Sequence, residues 1–175
     1  MNIEYVRKVA DYAHARNVFV EAEIGHILGE SYETNSHYTG DDYLFAIEDA
    51  IALVEKGQCD SLAIGLGNAH GFYKAEPKIN YDKLKEAHDN ISIPLVLHGG
   101  TGIPRDTVRA CIEGGIGKVN VGTGIYSAYM NGIQEYLKDK GPNQYTYDVM
   151  PAGMASVKKE VAYWIETDNA IGKAK

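Results

Sequence analysis

The chain has 175 residues, 45% of them hydrophobic, and a formal net charge of -7, which is length and apolar content enough for one folded domain with a core. The acidic balance and the scatter of the 17 basic residues exclude nucleic acid as the main partner, since phosphate backbones demand clustered Lys and Arg. No apolar run approaches the roughly 18–20 residues of a membrane helix, and no basic-then-apolar segment opens the sequence as in a signal peptide, so a cytoplasmic enzyme or binding protein without a membrane partner is expected.

In chain order, residues 2–17 (NIEYVRKVADYAHARN) place Val6, Val9, Ala10 and Ala13 at helical spacing and end on Asn, a common helix stop. The β-branched and aromatic run VFVEAEIG (18–25) predicts a strand. The polar stretch 28–42 has no periodicity and is too long for a simple connector, which predicts a functional or mobile loop. Alternation then repeats: helix 43–57, strand SLAIGL (61–66), helix 81–90, strand IPLVLHG (93–99), helix 104–115, strand GKVNVGT (117–123), helix 126–140. A last amphipathic helix is expected over about 153–167, after a loop containing Pro and Gly. Cys59 and Cys111 lack metal-ligand spacing, which predicts two reduced, partly buried thiols.

Four apolar strands alternating with helices predict an α/β protein with a parallel sheet. Each strand ends in a chemically loaded stretch: EAEIG, GNAHG, LHGGTG and NVGTG. In parallel α/β folds the carboxyl ends of the strands share the ligand-binding face. His70 and His98 occupy equivalent positions of successive units, and neutral imidazole is the commonest zinc ligand. Glu21 and Glu23 alternate with Ala22 and share one face of their strand. One can serve as a salt-bridged core group, and Glu23, nearer the strand end, is the better third metal ligand. Gly99, Gly100 and Gly102 around Thr101 let backbone N–H groups approach an anion, with the positive end of the next helix dipole behind them. Asn120, Gly122 and Thr123 supply a second polar edge. A phosphorylated substrate of a metal enzyme is the expectation. The 13 tyrosines, including Tyr32, Tyr38 and Tyr43, lack a basic stripe and are assigned to packing. His26 and His37 are taken as solvated loop residues, and His14 and His88 as helix surface residues.

The set VEAEIG, DSLAIGLGNAHGFYK, IPLVLHGGTGIP and GKVNVGTG, in this order, resembles the zinc-dependent class II aldolases of the fructose-bisphosphate and tagatose-bisphosphate type, over essentially the whole chain. The AHGxYK motif followed by LHGG is the most specific part. The resemblance implies a (βα)8 TIM barrel of which residues 1–175 form a single domain, the C-terminal half: the last four βα units plus a C-terminal helix. It implies Zn2+ held by His70, His98 and, in an alternative position, Glu23, with a monovalent cation (Na+ or K+) nearby. It implies substrate and phosphate contacts from Gly71, Lys74, Gly99, Gly100, Thr101, Asn120 and Thr123, and catalytic roles for Asn120 and Glu30. The reaction implied is reversible cleavage of a ketose 1,6-bisphosphate, such as fructose 1,6-bisphosphate, to dihydroxyacetone phosphate and glyceraldehyde 3-phosphate.

The segment that would carry the first zinc histidine and the acid-base aspartate is absent. Ser31 stands where many members place a glutamate base, and Gly122 replaces an acidic or small residue. A half barrel leaves its first and last strands as open edges with apolar interior side chains facing water, so self-association into a homo-oligomer or pairing with an N-terminal half is expected. Two other readings fit the same motifs: a non-catalytic sugar-phosphate or metal-binding module or assembly subunit, and a different metal-dependent enzyme on the same scaffold.

Overall fold

In a computed structural model, residues 2–27, 44–73 and 77–174 are described. The chain forms two compact units, residues 1–120 and 121–175. Elements of the first unit are α1 (Asn2–His14), β1 (Glu21–Ile24), α2 (Ile47–Gly57), β2 (Ser61–Ile64), α3 (Tyr81–Asn90), β3 (Leu95–Leu97), α4 (Arg105–Glu113) and β4 (Ile116–Val119). The four strands form one sheet in the order β1-β2-β3-β4, and every pairing is parallel. The α/β expectation therefore stands, with strands shorter than the apolar runs that announced them.

Parallel neighbours joined in sequence order by right-handed crossovers place their helices on one face of the sheet. The residues of that face are apolar: Ala22, Leu62, Ile64, Leu95 and Leu97 are buried, four of them at 0–2% exposure. Burial of each large member is worth about 1.5–3 kcal/mol. α1 closes against α2, where Gly57 leaves room for Val6, since a Cβ at Gly57 would come within 3.0 Å of that side chain. The inward stripe of α1 includes Val6, Ala10 and Ala13, whereas Val9 is 54% exposed. The expected placement of Val9 inside is thus corrected: it sits on the solvent side of the stripe that meets α2. Asn17 takes a left-handed conformation, φ 56°, consistent with its reading as a helix stop.

The opposite face of the sheet follows from register. Glu21 pairs with Ser61 and Glu23 with Ala63; Ala63 pairs with Val96; Val96 pairs with Lys118. Side chains alternate along a strand, so Glu21, Glu23, Ser61, Ala63, Val96 and Lys118 share this face. Lys118 reaches it because the β3–β4 register shifts after Leu95, which pairs with Ile116, leaving Gly117 as the extra residue. Without that bulge, Lys118 would stand opposite Leu97 on the helix side. Apolar side chains on this face were expected to meet water at the open edges. Instead Ala63 and Val96 are fully buried, and charged side chains lie on the edge strands around them.

The second unit is a helical hairpin of α5 (Thr123–Lys140) and α6 (Thr146–Thr167). α6 begins seven residues before the expected start and contains Pro151. Proline there removes a single helical hydrogen bond near the N-terminus, a cost offset by packing on α5. A Cβ added at Gly153 would strike the Tyr129 ring at 2.7 Å, and one at Gly132 would strike Ser156 and the Ala152 carbonyl, so both glycines mark the close approach of the two helices.

Two predictions follow from burial. Cys59 and Cys111 are free and buried, and burial pushes the Cys111 thiol up to about 11. Because the thiolate is the reactive form, thiol labelling at pH 8 is expected to be at least about 100-fold slower in the native chain than in denaturant. Labelling of Cys111 at the unfolded rate would refute this. In the second unit, Asp168 caps α6 at its C-terminal end, where the helix dipole disfavours a carboxylate. Its Oδ1 is buried without a hydrogen-bond partner, and burial pushes its pKa up. A carboxyl whose pKa is raised on folding loses stability as pH rises from its unfolded value through its folded one. Asp168→Asn is therefore expected to stabilise at pH 7 by about 0.3–1 kcal/mol and to give no gain near pH 3. Thermal melts at the two pH values decide the matter.

Candidate metal centre

The carboxyl ends of β1, β2 and β3 deliver Glu23, His70 and His98 to one place. One potential ligand atom from each lies within 4.8 Å of the others. The His70 and His98 ring centroids are 5.6 Å apart, and His98 Nδ1 is 2.9 Å from Glu23 Oε2. Tetrahedral zinc with bonds near 2.0–2.1 Å holds its ligand atoms about 3.3 Å apart. Two imidazoles and a carboxylate fit such an ion in donor chemistry; their atoms, within 4.8 Å of one another, would have to draw closer, and His70 and Glu23 are exposed enough to adjust.

The glycine after each histidine has a steric reason. Gly71 and Gly99 take φ of 84° and 66°, a region costly for residues with a Cβ. A Cβ on Gly99 would also overlap the Ala69 carbonyl oxygen, so the loops after β2 and β3 touch backbone to backbone. Two side chains lace them together. Asn68, 2% exposed, accepts from the Leu66 N–H at 2.8 Å and donates through Nδ2 to the His98 carbonyl at 2.9 Å. The Tyr73 hydroxyl accepts from the Ala69 N–H at 2.8 Å and donates to the Gly99 carbonyl at 3.1 Å. Burial pushes the Tyr73 phenol up, which keeps it a donor. Neither residue was singled out from the sequence, although a buried Asn two residues before the histidine, in GNAHG, is the signal that was available.

Glu21 lies two residues before Glu23 on the same face of β1 and contacts His98. Its Oε1 accepts from Asn120 Nδ2 at 3.1 Å and lies 3.0 Å from His98 Nε2; its Oε2 accepts from Lys118 Nζ at 2.6 Å. Burial raises the Glu21 pKa, but the Lys118 ammonium, His98 and Asn120 together hold it below the ordinary carboxylate range. His98 is pushed the other way, upward, first by Glu23 and then, against the cost of burial, by Glu21. Both glutamates pair with His98, Glu21 through Nε2 and Glu23 through Nδ1; Glu21 also pairs with Lys118, and Glu23 belongs to the group that could hold a metal ion.

Asn120 is fixed at three points: its N–H donates to the Leu97 carbonyl at 2.8 Å, its carbonyl accepts from the Gly100 N–H at 3.1 Å, and its side chain meets Glu21. The Gly100 N–H is thus committed to shaping its loop, and the Ile103 N–H returns to the Gly100 carbonyl at 3.1 Å. Thr101 is buried beside it. Thr123 opens α5 in the second unit. Glu30 and Lys74 lie outside the described residues, as do the stretch 28–42, His37 and the three tyrosines named above.

Among the described residues no helix is long and apolar enough to cross a membrane. Residues 1–173 match the family described as Fructose-bisphosphate aldolase class-II. The chain is 35% identical over 175 residues to fructose-bisphosphate aldolase of Geobacillus stearothermophilus, covering 99% of this chain and 59% of that protein. It is 38% identical over 138 residues to the uncharacterized protein YdjI of Escherichia coli (strain K12), covering 77% and 48% of the two. The crystal structure of the YdjI aldolase superposes with a TM-score of 0.78 at 30% identity, over 99% of this chain and 58% of that one. The chain thus spans about half the length of the relatives it matches. With the His-Gly strand ends in place and the match running from one end of the sequence almost to the other, the chain belongs to the class II fructose-bisphosphate aldolase family.

Proposed function

We propose that this chain is the C-terminal, metal-binding half of a ketose-bisphosphate aldolase barrel, reversibly cleaving a substrate such as fructose 1,6-bisphosphate to dihydroxyacetone phosphate and glyceraldehyde 3-phosphate once the N-terminal half is supplied. The observation that carries this reading is the convergence of Glu23, His70 and His98 from three successive strand ends. The barrel reading is supported by the parallel order β1-β2-β3-β4 and by the ion pair between Glu21 and Lys118, whose strands are the two edges of the sheet. Four strands near 4.8 Å spacing put those edges about 14 Å apart if flat, and side chains meeting across that span fit a sheet curved toward them.

In this proposal His70 and His98 hold Zn2+, with Glu23 as the carboxylate of its alternative position. When bound, the zinc supplies a Lewis acid that polarises the substrate ketone. The chain's own residues bind and orient. Gly71, Gly99 and Thr101 hold the phosphate, with Gly100 shaping their loop, and Lys74 and Thr123 complete that contact. Phosphate binding supplies orientation away from the reacting carbons. Asn120, immobilised at three points, presents its side chain beside the reacting carbons, and Glu30 serves proton transfer. A monovalent cation beside the two His-Gly segments and a cytoplasmic setting belong to the same reading. The partner that completes the barrel is an N-terminal half or a second copy of the chain.

Zinc titration of the purified chain is expected to give one tight site per chain, weakened by more than about 100-fold in the His70→Ala/His98→Ala variant. Retention of zinc by that variant would sink the ligand assignment. Cleavage of fructose 1,6-bisphosphate and tagatose 1,6-bisphosphate is expected only when the N-terminal segment of the Geobacillus stearothermophilus relative is co-expressed. Zinc binding with no cleavage in any pairing would favour a non-catalytic sugar-phosphate module instead.

A further inference from the structure

Resting on the zinc reading above, we propose that Glu21 and Lys118 are positioning residues that decide which nitrogen of His98 meets the metal: Glu21 accepts the hydrogen bond from Nε2–H, Nδ1 turns its lone pair to the space between Glu23 and His70, and Lys118 fixes Glu21 for that task.

The geometry leaves His98 two carboxylates, one for each ring nitrogen: Glu21 Oε1 at 3.0 Å from Nε2 and Glu23 Oε2 at 2.9 Å from Nδ1. Carboxylates accept hydrogen bonds and an imidazole ligand must offer a lone pair, so one carboxylate has to accept from the ring N–H and the other has to face the metal. The two are not equivalent. Glu21 is tied down by Lys118 and Asn120, and its side chain is 25% exposed against 41% for Glu23. The group able to converge on one ion contains Glu23 and His70 with His98, and not Glu21. Nδ1 is therefore the metal-facing atom. A zinc ion held there would take the Nδ1 lone pair, and the Nε2–H would keep its hydrogen bond to Glu21. A carboxylate behind a ligating histidine fixes both its tautomer and its ring orientation.

Lys118 belongs to this device because of the bulge at Gly117. The pairing of Val96 with Lys118 brings the ammonium to the same face as Glu21, and Oε2 of Glu21 is taken up by Nζ at 2.6 Å. That leaves Oε1 aimed at His98 and Asn120. With Lys118 gone, Oε2 of Glu21 keeps only the long contact from Ser61 Oγ at 3.5 Å, so the carboxylate is held less firmly against Nε2.

The test uses the full chain labelled with 15N-histidine. Long-range 1H–15N spectra of the zinc-loaded chain are expected to show Nε2 of His98 protonated and Nδ1 with the shift of a metal-bound nitrogen. In chelator competition, Glu21→Gln and Lys118→Met are each expected to lower zinc affinity by about 10–100-fold, with Lys118→Arg restoring most of the loss. The metal-free variants are expected to melt cooperatively at a lowered temperature that still lies above that of the binding assay, which separates positioning from unfolding. Should Glu21→Gln fail to fold, the wild-type spectrum and Lys118→Met decide. Zinc on Nε2, or affinity within twofold of wild type in Lys118→Met, overturns this inference and leaves the metal site standing. No zinc uptake by the wild-type chain overturns the metal site and the inference with it.

Discussion

The carboxylate of Glu21 is the interaction on which this face of the sheet depends. It stands at the start of one edge strand, and Lys118, on the other edge strand, is 97 residues away in sequence. Between them lie two strands whose apolar residues on that face, Ala63 and Val96, are fully buried. A carboxylate removed partly from water is costly unless its oxygens are satisfied. Here each oxygen meets charged or polar donors, so the cost of burial is offset while three strands are tied together. The same carboxylate reaches His98, which links the stability of the sheet face to the geometry of the metal centre.

A second layer holds the strand ends. Asn68 and Tyr73 use hydrogen bonds to backbone rather than to other side chains, so that the loops after β2 and β3 move together. The glycines serve this closeness: the backbone of the Gly99 loop approaches Ala69 where no Cβ fits. Strand ends whose candidate donors are oriented by carboxylates and whose loops are laced to each other make a preorganised site.

The open edges set the other constraint. Among the described residues β1 and β4 each have a strand partner on one side only, and edge strands with unpaired backbone groups invite pairing. Charged side chains on both edges, Glu21 and Glu23 on β1 and Lys118 on β4, are the kind of residue that discourages indiscriminate association while leaving the edge available to a complementary strand.

The sequence by itself determined the order of helices and strands, the parallel α/β class, the family, and the residues that could meet a metal. Each of these is written in local periodicity or in short motifs, and the AHG and LHG strand ends announce their chemistry within a few residues. Glu21 and Glu23 could be placed on one face by counting alone, because strand alternation is a local rule. Which of them would meet Lys118 was not legible in the sequence. That partner became visible only in the tertiary structure: the motif IGKV does not say where the extra residue of a bulge falls, and a one-residue shift in register sends every later side chain to the other face. The early start of α6 was hidden for a related reason. Pro151 and Gly153 read locally as a loop, and only packing against α5 outweighs that preference. The strands supplied the donors, and long-range pairing chose their orientation.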